Sequence, residues 1–320
     1  MSIATFFTNA QLSDAIRHQK FLFTLLLIVF SNLGYAGTSQ HAVHPIIEVA
    51  TLQARLAQSE SDLLLVDVRD GETYQTGHLP GAINLPVEHT FNLKGDHTRI
   101  ASLEQIRELL SQAGIRNSDY LVLYDDGTLK DAAHVFWVLE TYGHKKISVL
   151  DGGLAAWQAQ HDEITTIDNP LPRSEYIPNI ATHRLSTELA VLLGIRNDNV
   201  EIIDARAHKE YLGLTSSAKR KGHIPNAISI PWNANLVKNA KIPTLKSKPV
   251  LRALYHDLDK KQKVIAYCNR GKESAVTYLV LRDLGYNVSV YDGAWLEWGN
   301  DDNLPIAIGT RLSGDPQHAH

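Results

Sequence analysis

Short runs of consecutive apolar residues recur along the chain, separated by stretches with helical spacing of apolar positions. In the second half the pattern predicts helix at 187–193, strand at 200–204 and helix at 248–258, then strand at 264–267, helix at 274–284 and strand at 288–291. Strands that are apolar at nearly every position have both faces buried. Helices packed on both sides of a mainly parallel sheet provide that burial. The predicted fold class is therefore α/β.

The first half carries the same blocks in the same order. Leu63-Leu64-Leu65-Val66-Asp67-Val68-Arg69 matches Val200-Glu201-Ile202-Ile203-Asp204-Ala205-Arg206, and Gly77-His78-Leu79-Pro80 matches Gly222-His223-Ile224-Pro225. Leu121-Val122-Leu123-Tyr124 matches Val264-Ile265-Ala266-Tyr267, and Asp151-Gly152 with Trp157 matches Asp292-Gly293 with Trp298. A repeat this long is a duplicated domain, not a solenoid unit. The expected organisation is one domain at 44–165, a second at 183–306 and a tail at 307–320. The proline-bearing stretch 166–182 (Pro170, Pro172, Pro178) is the linker. The second copy holds an insertion, 212–221, that the first lacks.

Length and composition set further bounds. With 320 residues the chain is long enough for two domains, and a formal charge of -4 argues against a general nucleic-acid binder. At the N-terminus, Arg17 and Lys20 precede the apolar run Phe21–Leu33 and the small residues Gly34 and Ala36. That order is the layout of a secretory signal, here residues 1–36, implying a periplasmic or secreted protein with no membrane attachment after cleavage. Anchoring by residues 21–33 is the alternative. An exported chain has a disulfide-permissive compartment available, yet Cys268 has no second cysteine to pair with. It is either an inert core residue or a reactive thiol.

Its neighbours favour reactivity. In parallel sheets of this kind ligands bind beyond the carboxyl ends of strands, and Cys268 directly follows the strand at 264–267. Six residues, Cys268-Asn269-Arg270-Gly271-Lys272-Glu273, join that strand to the helix expected from Ser274. Gly271 lets the backbone curl, so that several N–H groups and the positive end of the helix converge on one point, forming an anion cradle. The cradle, with Arg270 and Lys272 adding to its field, is expected to hold the Cys268 thiol below the ordinary ~8.5. The anion-binding set expected on this basis is Asn269, Arg270, Gly271, Lys272, Glu273 and Ser274.

The Asp-x-Arg strand ends, the Gly-His-(Ile/Leu)-Pro segments, the Cys268 loop and the closing Asp-Gly blocks resemble the rhodanese family. The tandem arrangement is similar to thiosulfate and 3-mercaptopyruvate sulfurtransferases. The resemblance implies two tandem rhodanese-like domains, a catalytic second one and a silent first one that shapes a wall of the cleft. Asp125 stands where the repeat places Cys268 and cannot carry a persulfide. The implied reaction is a double displacement: Cys268 takes the outer sulfur of a small anionic donor and passes it to cyanide, a thiol or a protein acceptor. No metal or organic cofactor is implied. Relatives of this type often have an arginine where this chain has Glu210, so Lys209 or Arg206 has to supply that contact, and Arg206 joins the expected donor-binding residues. Because Arg206, like Asp67, Arg69 and Asp204, has a counterpart in the copy without a nucleophile, ion pairing within the scaffold competes with that role. The cationic loop favours thiosulfate, with mercaptopyruvate second. A relay that carries persulfide with little turnover on small donors is the non-enzymatic alternative. A phosphatase of the same fold needs an arginine six residues beyond the cysteine, where this chain has Ser274.

Overall fold

The computed structural model describes residues 43–94, 97–161 and 163–309. The expected signal segment and the end of the tail lie outside the described residues. In chain order the first half comprises β1 (Ile46–Ile47), α1 (Val49–Ala57), β2 (Leu63–Asp67), α2 (Gly71–Thr76), β3 (Ile83–Asn84), β4 (Phe91–Lys94) and β5 (His97–Ile100). It continues with α3 (Leu103–Gln112), β6 (Tyr120–Tyr124), α4 (Lys130–Thr141), β7 (Ile147–Leu150) and α5 (Gly153–His161). The second half comprises β8 (Leu185–Ser186), α6 (Glu188–Gly194), β9 (Val200–Asp204), α7 (His208–Tyr211) and β10 (Ile228–Ser229). After these come α8 (Lys248–Leu254), β11 (Lys263–Tyr267), α9 (Lys272–Asp283), β12 (Asn287–Tyr291) and α10 (Ala294–Trp298).

Each half builds a five-stranded sheet with every pair parallel, in the orders β1-β7-β6-β2-β3 and β8-β12-β11-β9-β10. The two orders are the same once the repeat is aligned. β6 is buried at all five positions and β11 at four of five, which explains why their sequences do not alternate. Both strands end in a tyrosine whose hydroxyl accepts a backbone N–H from the Gly-His segment: Leu79 to Tyr124 at 3.0 Å and Ile224 to Tyr267 at 3.2 Å.

Three local expectations change. The helix expected over 248–258 stops at Leu254, and the helix expected from Ser274 begins two residues earlier, at Lys272. The loop after Cys268 is therefore tighter than the spacing implied. Strands β4 and β5 pair antiparallel, an element the sequence did not announce because Phe91–Lys94 and His97–Ile100 are largely polar. Finally, residues 166–181 form no helix or strand, yet they are no loose tether. Ser174, Asn179 and Ala181 donate backbone N–H groups to Ser111, Tyr142 and Thr141 of the first half, and the Tyr176 ring is buried beside His144.

The halves share one apolar core. α4 and α9, the equivalent helices of the two copies, pack against each other, and Val135, Phe136, Leu139, Val276, Leu279 and Val280 fall in a single buried cluster. Each such side chain contributes about 1.5–3 kcal/mol on burial. Polar contacts fix the register: Glu140 accepts from Arg282 and from the Tyr278 hydroxyl, and Lys272 pairs with Asp131 at 2.8 Å. The matched aspartates of the two Asp-Gly blocks reach across reciprocally. Asp151 accepts the Leu245 N–H at 3.0 Å and Asp292 accepts the Ile100 N–H at 3.1 Å.

Candidate active site

β11 delivers the chain to Cys268, and four residues, Cys268 to Gly271, turn it into α9. Gly271 caps the helix at φ 95°, a conformation that costs a residue with a Cβ. Its N–H points back to the Cys268 sulfur at 3.1 Å, and the Ser274 hydroxyl lies 3.4 Å from the same atom. The backbone behind is pinned: the Cys268 carbonyl accepts the Trp295 N–H at 2.8 Å and the Asn269 carbonyl accepts the Leu296 N–H at 3.3 Å. Trp137 of α4 backs Gly271 from the first half; a Cβ on the glycine would lie 3.9 Å from its ring.

Cys268 forms part of the lining of a cleft of about 480 Å³ between the halves. The second half contributes Cys268, Asn269, Arg270, Lys272 and Glu273 to its walls, and the first half Asp126, Thr128, Lys130 and Asp131. The first-half residues were not identified individually from sequence. The signal that could have found them is the repeat itself, since 126–131 is the counterpart of the cysteine loop and its helix start.

The expected donor-binding residues do not all face the cleft. Gly271 and Ser274 are buried beside the sulfur and act on it directly. Arg206 is a correction. It is 0% exposed, its guanidinium grips Asp204 with contacts of 2.5–3.1 Å, donates to the Gly222 carbonyl at 2.8 Å and lies over the Trp295 ring. Arg69 makes the same contacts with Asp67 and Gly77. Both arginines therefore tie a strand end to the Gly-His segment. His78 and His223 belong to that scaffold as well, each stacked on its tyrosine, Tyr74 or Tyr211, and bonded to that residue's carbonyl.

Glu210 acts on the loop. Its carboxylate accepts from the Asn269 side-chain Nδ2 at 3.0 Å, while the Asn269 side-chain Oδ1 accepts the Ser217 hydroxyl at 2.6 Å. Ser217 lies in the 212–221 insertion, so the insertion and Glu210 together hold the residue after the cysteine.

The electrostatics also differ from expectation. Burial pushes the Cys268 thiol above its ordinary range and the Glu273 carboxylate adds to the effect, against hydrogen bonds from Ser274 and the loop backbone that pull it down. Lys272 is held by Asp131, whereas Arg270 is exposed and, among the described residues, has no ion-pair partner. Glu273 is itself pushed up, by burial first and Glu210 second, with Lys130 opposing. The expected low thiol is overturned because desolvation of a sulfur on the cleft floor outweighs a few N–H dipoles.

In the first half the equivalent cradle is filled by its own side chain. The Asp125 carboxylate, 2% exposed, accepts backbone N–H groups from Gly127, Leu129, Asp131 and Ala132 at 2.9–3.3 Å. Burial still holds that carboxyl above the usual range. No room remains there for an external anion.

Comparison with known proteins agrees with the duplication. The rhodanese-like domain matches twice, at residues 48–160 and 188–301. A protein of Haloferax volcanii named putative thiosulfate sulfurtransferase is 33% identical over 296 residues, covering 85% of this chain and 99% of the relative. The 3-mercaptopyruvate sulfurtransferase of Escherichia coli is 30% identical over 286 residues, 86% of this chain and 96% of the relative. A crystal structure of an Escherichia coli protein, described as showing the fold and mechanism of 3-mercaptopyruvate sulfotransferases, superposes with a TM-score of 0.69 at 27% identity. It covers 79% of this chain and 99% of that one.

Proposed function

The chain belongs to the rhodanese-like domain family and is a sulfurtransferase, and on that premise we propose that Cys268 carries the sulfur between a thiosulfate donor and a thiophilic acceptor. The observation that carries this reading is the placement of the sole cysteine on the floor of the cleft, with the Gly271 N–H and the Ser274 hydroxyl directed at its sulfur. In the first half-reaction the Cys268 thiolate attacks the outer sulfur of thiosulfate, the S–S bond of the donor breaks and sulfite leaves with the bonding pair. In the second, the acceptor attacks the outer persulfide sulfur and the Cys268 thiolate departs. Donors to the sulfur stabilise the negative charge that is present at every stage.

Arg270, exposed at the cleft and free of an ion pair among the described residues, supports an anionic donor. Likeness to a 3-mercaptopyruvate sulfurtransferase supports that second donor, and Lys272, neutralised by Asp131, weakens the argument from loop charge for thiosulfate. The test is thiocyanate formation from cyanide with each donor in turn. The expected result is a higher kcat/KM with thiosulfate and loss of turnover with both donors in Cys268→Ala. Turnover retained by that variant would overturn the assignment of Cys268, and a clear preference for 3-mercaptopyruvate would overturn the choice of donor. The order of charge, apolar run and small residues over 17–36 supports an exported enzyme whose acceptor is a small thiol or a protein outside the cytoplasm.

A further inference from the structure

The charge around Cys268 is divided by sign. Asp126, Asp131 and Glu273 line the cleft against Lys130, Arg270 and Lys272, so the walls are balanced where the loop sequence alone suggested a cationic site. The Lys272–Asp131 pair cancels one charge of each sign. Of the remaining carboxylates, Glu273 is the one whose charge acts on the sulfur. It occupies the first turn of α9, one residue before Ser274, where the helix N-terminus favours its anionic form against the burial and the Glu210 charge that push its carboxyl up. The groups that act on it are Glu210 of α7, Lys130 of α4, and Asp204 and Arg206 at the end of β9, the last two already committed to each other. Among the described residues Glu273 makes no ion pair within 4.0 Å.

An acceptor must approach the outer sulfur of Cys268–S–S⁻ beside that carboxylate. A purely anionic acceptor meets two negative groups, whereas an acceptor bearing an ammonium group brings its own counter-charge. Resting on the persulfide reading above, we propose that Glu273 is a specificity-determining residue that directs sulfur from Cys268 to thiols carrying an ammonium group and disfavours acceptors of wholly negative charge. The step it governs is balanced without an added oxidant. The acceptor thiolate forms a bond to the outer sulfur, the persulfide S–S bond breaks, Cys268 leaves as thiolate and the acceptor departs as its own persulfide.

In a double displacement the kcat/KM of the acceptor reports only this half-reaction, whatever the donor. The test compares cysteamine with 3-mercaptopropionate, thiols of similar size and opposite charge, in the wild type, Glu273→Gln and Glu273→Asp, with thiosulfate or 3-mercaptopyruvate as donor. Intrinsic thiol reactivity cancels when the cysteamine to mercaptopropionate ratio of each variant is divided by that of the wild type. Removing one charge close to the reacting sulfur is expected to lower the ratio about tenfold in Glu273→Gln at low salt. Glu273→Asp is expected to retain most of it. A ratio unchanged in Glu273→Gln, or lowered equally in both variants, overturns the proposal. Should Glu273→Gln fail to fold, the salt dependence of the wild type decides: falling kcat/KM for cysteamine with rising values for mercaptopropionate supports it, and parallel slopes overturn it. If the wild type moves no sulfur from either donor to any acceptor, the sulfurtransferase reading fails first and this proposal with it; normal transfer with an unaltered ratio defeats the Glu273 assignment alone.

Discussion

Burial opposes ionisation of Cys268. The side chain is 1% exposed, and burial first and Glu273 second hold the proton on its sulfur. The sign of the pH dependence follows, because only the thiolate attacks a donor and raising its pKa delays its appearance. The kcat/KM for the donor is expected to climb from pH 6 into the alkaline range, with no plateau below the ordinary thiol value of ~8.5. Glu273→Gln, which removes one of the groups holding the proton, is expected to move that climb to lower pH. Measured rates of persulfide formation against pH would show it; a plateau already reached by pH 6 to 7 in the wild type would contradict it. At this scale the sequence was only partly legible. Cysteine, glycine and two cations in one loop pointed to one place, but adjacency along the chain does not assign partners. Lys272 turns to Asp131 of the other half, Arg206 turns inward to Asp204, and Glu210 turns to Asn269.

At the scale of elements, the two strand-to-helix turns differ in what their backbone N–H groups meet. Both turns gather backbone N–H groups behind a strand that ends in tyrosine. In 268–271 the Gly271 N–H meets a sulfur that lines a cleft; in 125–132 four N–H groups meet a carboxylate that consumes them. Asp125 therefore stabilises the first turn. Asp125→Ala strands four N–H groups and is expected to cost about 2–4 kcal/mol of stability, water recovering part of the loss. Chemical denaturation would measure it, and an unchanged midpoint would mean that these hydrogen bonds carry no net weight. The strands and most helices were readable because apolar runs and helical spacing are local signals. The β4–β5 hairpin was not, since its polar residues carry no alternating pattern strong enough to announce it. The early start of α9 was missed for another reason: Lys272 and Glu273 read as loop, while left-handed Gly271 already caps the helix.

Across the whole molecule the duplication is both the most legible feature and the source of what sequence could not supply. Repeated blocks imply two similar sheets, but not which faces meet. α4 is buried almost along its entire length and so is most of α9, and a helix apolar all round signals burial without naming its partner. Their pairing places the loops that precede them at one cleft, brings Lys130 and Asp131 to Cys268, and lets Asp151 and Asp292 bind the opposite half. The first copy therefore supplies part of the cleft wall around Cys268. Loading of sulfur onto Cys268 in this shared cleft is read directly in the mass of the intact protein after brief exposure to thiosulfate under non-reducing conditions. The predicted result is a gain of one sulfur atom, mapped to the peptide containing Cys268, absent in Cys268→Ala and discharged on adding an acceptor. An unmodified Cys268 in protein that turns over thiosulfate would contradict it.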